Sequence, residues 1–152
     1  MSATVTAVSI SSRSGMPRPN VEQGELRVCF GFVGNKHSVG GNREVCLCDD
    51  ETYEQLRAEG LSVGGGSFGE NITTSGIDFS EVRPGDRLIF DGNAEIEITM
   101  VRKPCKALTP IDPRLPKIIV GRSGWLAKVI TGGIVRSGMP VKHISSQTQA
   151  IF

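Results

Sequence analysis

Short apolar stretches of period two, broken by glycine and proline, run through the chain. "TVTAVSI" (4–10) sets Val5, Ala7 and Ser9 on one side and Thr4, Thr6, Val8 and Ile10 on the other, which predicts a first strand. "ELRVCFGFV" (25–33) and "REVCLCD" (43–49) predict two more, separated by the glycine-bearing loop "GNKHSVGG". Cys46 and Cys48 point the same way from the second of these and read as core. "DDETYEQLRAEG" (49–60) opens with acidic residues suited to a helix N-terminus, continues with helix formers and stops at Gly60, so one short helix is expected there.

In "EVRPGDRLIF", Pro84 and Gly85 suit the central positions of a type II turn, because proline fixes the first φ and glycine accepts a positive second one. "RLIF" and "AEIEITMV" flank "DGN", so residues 86–101 predict a hairpin whose second strand alternates Ile96, Ile98 and Met100 against Glu95, Glu97 and Thr99. That strand leads into Arg102 and Cys105. "GWLAKVITGGIVRSGMPV" (124–141) joins two apolar runs through Gly132 and Gly133, while "HISSQTQAIF" carries no clear signal. With 19 glycines and eight prolines and no internal repeat or linker, this cadence predicts a mainly β chain, a barrel or sandwich, and not a helical bundle. At 152 residues, one domain spanning 1–152 is expected.

Charge changes the picture by exclusion. The chain carries 17 basic against 16 acidic side chains, which disfavours a broad polyanion-binding face and hence nucleic acid as the main partner. No apolar run approaches the roughly 18 residues of a membrane span, and the first residues lack a basic region followed by an apolar block. Four cysteines, none in a CxxC pair, indicate neither a disulfide framework nor a structural zinc site. The expectation is a protein of a reducing cytoplasm.

Candidate chemistry centres on Cys105 in "VRKPCKAL". A thiol gains nucleophilicity and metal affinity as thiolate, and Arg102, Lys103 and Lys106 supply the positive charge that favours that form. Pro104 should end the strand and bring the sulfur to a barrel rim; the competing reading is a small buried hydrophobe beside solvated cations. The glycine segment from Gly64 to Gly76 reads either as a nest of backbone N–H groups for an anion, with Asn71, Thr73 and Thr74 adding side-chain donors, or as a tight connection. It has neither P-loop nor dinucleotide order. His37, with Lys36 and Arg43 nearby, reads as a phosphate-neutralising set or as an exposed loop histidine. His37 and His143, the two histidines, have no carboxylate at ligand spacing. Arg122, Lys128 and Arg136 are further cations that could meet an anion or face solvent. There is no GxSxG elbow to support a hydrolase.

Taken together, "GGSFGENITTSGIDFSEVRPGDRLIFDGNAEIEITMVRKPC" and "GRSGWLAKVITGGIVRSG" resemble the MOSC family, the molybdenum cofactor sulfurase C-terminal domain, in its short stand-alone form, over about residues 25–141. The resemblance implies a strongly curved or closed β-barrel similar to the barrel domain of pyruvate kinase, and binding of a molybdopterin-type cofactor. It implies that Cys105 either ligates molybdenum or carries sulfur as a persulfide. Asn71, Thr73, Thr74 and Arg102 match segments expected near the cofactor, joined by Lys103, His37 and Arg43 as candidate cofactor-binding residues. The chain departs from short relatives in having Asn35 before His37, Asn42 before Arg43 and Gly138-Met139 in place of a Gly-Asp turn.

The fused eukaryotic sulfurases carry a separate pyridoxal-phosphate desulfurase domain, and 152 residues leave no room for one. The implied role is therefore a sulfur carrier in molybdenum cofactor maturation, with a cysteine desulfurase or a molybdoenzyme as partner. Alternatives are a molybdenum-dependent reductase of N-hydroxylated compounds and a non-catalytic module that stores or escorts the cofactor. A homodimer is compatible with such a barrel.

Overall fold

The structure, a computed structural model, describes residues 3–12, 18–35, 44–102, 112–115 and 124–146. Its strands are β1 (Ala3–Ser9), β2 (Asn20–Val21), β3 (Gln23–Arg27), β4 (Gly31–Phe32), β5 (Val45–Asp49), β6 (Ile72–Ser75), β7 (Arg87–Phe90), β8 (Ala94–Val101), β9 (Trp125–Thr131), β10 (Gly133–Arg136) and β11 (Pro140–Ile144), with one α-helix, α1 (Asp50–Ala58). Seven strands close a barrel in the order β1-β6-β5-β9-β8-β7-β11 and back to β1, while β2 extends β1 and β10-β3-β4 form a small separate sheet. The mainly β, closed-barrel expectation holds.

The barrel is filled from alternate positions of its strands. Val45 and Leu47, Ile72, Leu88 and Phe90, Ile96 and Ile98, Ala127 and Val129 form one buried cluster with Leu26, Phe32 and Val135 from the small sheet. Each fully buried side chain of this kind contributes about 1.5–3 kcal/mol.

The hairpin predicted at 86–101 forms, with Phe90 paired to Ala94 and Asp91 (φ 50) and Gly92 (φ 69) in the turn, but the expected alternation ends at Ile98, because the register against β9 shifts before Met100, which is exposed. Both central φ values are positive, which is the turn whose twist suits adjoining strands. The Pro84-Gly85 turn is closed by Asp86 N–H donating to Arg83 O at 3.0 Å, with Gly85 at φ 94.

Two expectations need correction, and two segments take places that the sequence left unassigned. The first strand does not alternate strictly: its register against β6 shifts between Val5 and Ala7, so Val5 and Val8 both enter the core and Thr6 is exposed. An extra residue at a bulge resets the side-chain parity beyond it. Residues 25–33 are not one strand but a tight hairpin, because Cys29 takes φ 62 in the Val28–Phe30 turn and β4 returns against β3. The β9 and β10 runs do not pair with each other. Gly132 separates β9, in the barrel, from β10, on β3, and a Cβ at this glycine would lie 2.8 Å from Leu26 O. Finally, the segment with no clear signal contributes to β11, which pairs with β7 and closes the barrel on β1.

All barrel neighbours are antiparallel except β5 and β6. A parallel pair needs a crossover, and here it consists of α1 and residues 59–71. It packs on the outside of the barrel, where Tyr53, Leu56, Leu61, Val63, Phe68 and Leu115 bury Cys48 in a second cluster. Among the described residues no helix is long and apolar enough to cross a membrane.

Candidate functional site

The crossover ends in "GGSFGENITT" (65–74), and the geometry of that segment is organised by Glu70. Its side chain is fully buried. Tyr53 Oη lies 2.8 and 2.7 Å from its two oxygens, Thr73 Oγ1 donates at 2.8 Å and Phe68 N–H at 3.3 Å. The backbone at Gly66 and at Glu70 itself also favours the ionised carboxylate. The glycine segment does form a nest, and the anion in it is the protein's own. Burial pushes the Glu70 carboxyl up, moderated by the hydrogen bonds from Tyr53 and Thr73. Burial and the adjoining Glu70 charge likewise push the Tyr53 phenol well up.

The glycines serve packing against the chain itself. A Cβ at Gly65 would sit 2.6 Å from Ala7 Cβ, and one at Gly66 (φ +87) 2.3 Å from Arg18 O. Gly64 N–H, Ser67 N–H and Gly69 N–H are taken by Ser67 Oγ, Gly64 O and Gly66 O.

Two arginines flank this layer. Arg18 is buried, with Nε donating to Gly69 O at 2.6 Å and Nη1 to Asn35 Oδ1 at 3.0 Å, so the asparagine that departs from the family pattern anchors a cation. Burial lowers the Arg18 guanidinium from its ordinary range. Arg102 follows β8, its N–H donating to Gly124 O at 2.9 Å. Burial opposes its charge, but the neighbouring Cys46, Cys48, Glu70 and Tyr53 outweigh this and hold it above its ordinary value.

Both guanidinium groups act on Cys46. Cys46 and Cys48 share the outer face of β5, as their spacing predicts, but that face lies under the crossover and not in the barrel core. Cys48 is 2% exposed and Cys46 is half-buried. A hydrogen bond from Cys48, aided by Arg102 and Arg18 against burial, holds the Cys46 thiol below its ordinary range, and the same bond together with burial pushes Cys48 well up.

The residues singled out from the sequence separate into three groups. Thr73 joins the outer layer through Glu70 and pairs in register with Cys48. Arg102 lies in the same layer. Asn71 stands beside it, but its side chain is committed to the scaffold: Oδ1 accepts from Cys46 N–H at 3.2 Å and Nδ2 donates to Ser9 O at 3.2 Å. Thr74 is adjacent to Thr73 on β6 and so lies on the opposite face, with its hydroxyl oxygen buried and without a hydrogen-bond partner. Cys105, Lys103, His37, Arg43 and Arg122 lie outside the described residues. Lys128 pairs with Glu97 at 3.6 Å, and Arg136 is exposed. Arg18, Tyr53 and Glu70 were not legible as a site, since nothing in their local spacing announces contacts made across 15 to 51 residues.

A second polar cluster lies elsewhere. His143 Nε2 is 2.7 Å from Asp86 Oδ2, a pairing 57 residues apart that sequence spacing does not reveal. Asp86 is buried, which alone would raise its carboxyl, but donors from Ser146 N–H, His143 and Arg83 N–H bring it down to about 2. His143 also lines a groove of about 860 Å³ with Ile77, Ile89, Asp91 and Val141.

The MOSC domain family model matches residues 34–142. The chain belongs to the MOSC domain family. Its barrel is similar to those of three solved proteins: the YuaD protein from Bacillus subtilis (TM-score 0.80, 18% identity, 95% of this chain and 97% of that one), YiiM from Geobacillus stearothermophilus (0.78, 22%, 94% and 75%) and YiiM from Escherichia coli (0.72, 26%, 99% and 76%). No curated protein matches the chain in sequence. MOSC proteins are generally associated with the molybdenum cofactor. In this MOSC chain the outer layer brings two guanidinium groups, one carboxylate and a thiol together. Guanidinium donors beside a soft sulfur are the kind of groups that suit an anionic, sulfur-rich cofactor. Among the described residues no cluster of three or more His, Cys, Asp or Glu could hold a metal ion.

Proposed function

We propose that this chain binds the molybdenum cofactor and carries sulfur on Cys105 as a persulfide during cofactor maturation. The observation that supports it is that Arg18 and Arg102 both lie in the layer of Glu70 and Cys46 outside β5, and that Arg102 leads directly in sequence into Lys103-Pro104-Cys105. Arg18 and Arg102 would hold anionic groups of the cofactor, with Thr73 as a neighbouring hydroxyl. Lys103, His37 and Arg43 would add charge, and Asn71 would support the site from the scaffold. When bound, the cofactor supplies oxo, sulfur and two-electron chemistry at molybdenum.

On the protein side, the Cys105 thiolate attacks the terminal sulfur of a desulfurase persulfide. A new S–S bond forms on Cys105, and the donor thiolate leaves. The cations keep Cys105 ionised and therefore nucleophilic.

Incubation of the chain with a cysteine desulfurase and cysteine, followed by mass spectrometry, is expected to add one sulfur atom at Cys105. Protein purified from a molybdate-supplied host is expected to contain molybdenum and pterin fluorescence. Loaded protein that never acquires the extra sulfur yet reduces hydroxylamine with a supplied electron donor would favour the reductase alternative. Cofactor delivery unchanged by Cys105→Ala would favour the escort alternative.

A further inference from the structure

We propose that the groove between β7, β11 and the 76–81 segment is a docking site for an extended segment of a partner protein in which apolar side chains alternate with lysine or arginine. The groove measures about 860 Å³, and none of Arg18, Arg102, Glu70 and Cys46 lines it. Ile77, Ile89 and Val141 bring hydrocarbon to it from three separate elements. Asp78, Glu81 and Asp91 also line it, and all three are exposed.

Charge decides what can lie there. Among the described residues none of the three carboxylates has an ion pair; Asp78 Oδ1 accepts from Ser80 N–H at 3.0 Å and from the Ser80 hydroxyl at 2.5 Å, and these bonds hold its carboxyl below the ordinary range. Lys142 is the one lysine or arginine among the described residues that lines the groove, and His143, which also lines it, is committed through Nε2 to Asp86. Three carboxylates against one ammonium leave a local surplus of two negative charges, in a chain whose formal net charge is +1. His143 with Asp86 is neutral as an ion pair and negative when the ring is neutral, so that pair does not reverse the sign. The carboxylates do not converge on one ion, since no group of three or more His, Cys, Asp or Glu among the described residues could hold a metal. With its charged sides in solvent, the groove lacks the enclosure of a small-molecule site, which buries most of its ligand. It suits an extended chain that lays apolar side chains on the hydrocarbon and cationic ones against the carboxylates. Ala3 and Val141, register partners across the β1–β11 seam, both line the groove, so a segment seated there requires a closed seam and stabilises the closed barrel by mass action.

The test titrates the full chain by calorimetry with a capped hexapeptide of alternating leucine and lysine, at an ionic strength of about 0.15 M so that loose charge pairing is screened. The expected result is one saturable site, about ten-fold tighter than for hexapeptides of alternating leucine and glutamate or of alternating serine and lysine. The double variant Glu81→Gln/Asp91→Asn, in which asparagine tolerates the φ of 50 at position 91, is expected to weaken binding about five-fold. Lys142→Glu, at an exposed position, is expected to tighten it several-fold. Saturating peptide is expected to slow amide exchange at Val5 and Gly138 about ten-fold. Absence of a saturable site overturns the proposal, as does equal affinity for the leucine–glutamate peptide or an affinity that neither variant moves. Binding of n-butylammonium as tight as that of the peptide overturns it in favour of a small organic cation. Dimerisation of the native chain in sedimentation that Glu81→Gln/Asp91→Asn abolishes overturns it in favour of a second copy.

Discussion

Glu70 shows how one buried charge can shape a segment written in glycine. Its carboxylate gathers Tyr53 from α1, Thr73 from β6 and the backbone of the turn between them. Truncation would leave several buried donors without an acceptor, at about 1–3 kcal/mol for each that water or rotation does not satisfy. Glu70→Ala is therefore expected to destabilise the chain by about 3–4 kcal/mol in urea unfolding, and Glu70→Gln, which keeps one acceptor oxygen, by roughly half as much. The pH dependence has a definite sign. Because burial raises the folded carboxyl above its unfolded value, the native chain loses stability relative to Glu70→Gln as pH rises from the ordinary carboxylate range through that raised value. A Glu70→Ala cost below about 1 kcal/mol would show that the nest does not depend on its anion.

At the scale of elements, legibility followed locality. The β7–β8 hairpin and α1 were readable because a Pro-Gly turn, an Asp-Gly turn and an acidic helix start act over a few residues. The β3–β4 hairpin was not, since its turn places Cys29 in a left-handed conformation that an apolar run gives no reason to expect. The bulge in β1 and the divergence of β9 from β10 depend on partners far along the chain. A second kind of element constraint can be measured. Gly124 has φ +99, and a Cβ there would lie 2.1 Å from Leu47 O and 2.8 Å from Cys48 Sγ, whereas Gly60 has φ +93 and open space around it. Gly124→Ala must open the β5–β9 pairing at Leu47 and Trp125, and is expected to cost at least about 3 kcal/mol against about 1 kcal/mol for Gly60→Ala. Equal losses in thermal unfolding would mean that φ alone, and not the approach to β5, sets the demand for glycine.

For the whole molecule, the closed barrel was readable from cadence and family pattern, but the architecture of the site was not. Arg18, Tyr53, Glu70 and Cys46 come together only because β5 and β6 run parallel and force a crossover over their outer face. Closure also distributes stability unevenly. The seam between β1 and β11 rests on Ala3 opposite Val141 and Thr4 opposite Pro140, which has no N–H to give, while β8 and β9 pair from Glu95 to Val101. Amides of Val5 and Gly138 are expected to exchange with solvent at least ten-fold faster than those of Ile96, Ile98 and Ala127, and equal protection would indicate a barrel that opens only globally. The same seam has a consequence on the ribosome. Its two halves are made some 136 residues apart, so at about 5–20 residues per second the opening strand waits roughly 7 to 27 s for its closing partner. During that interval a nascent chain shows its neighbours a bare backbone edge at Ala3 and Thr4, available to a chaperone or to a sister chain on the same message.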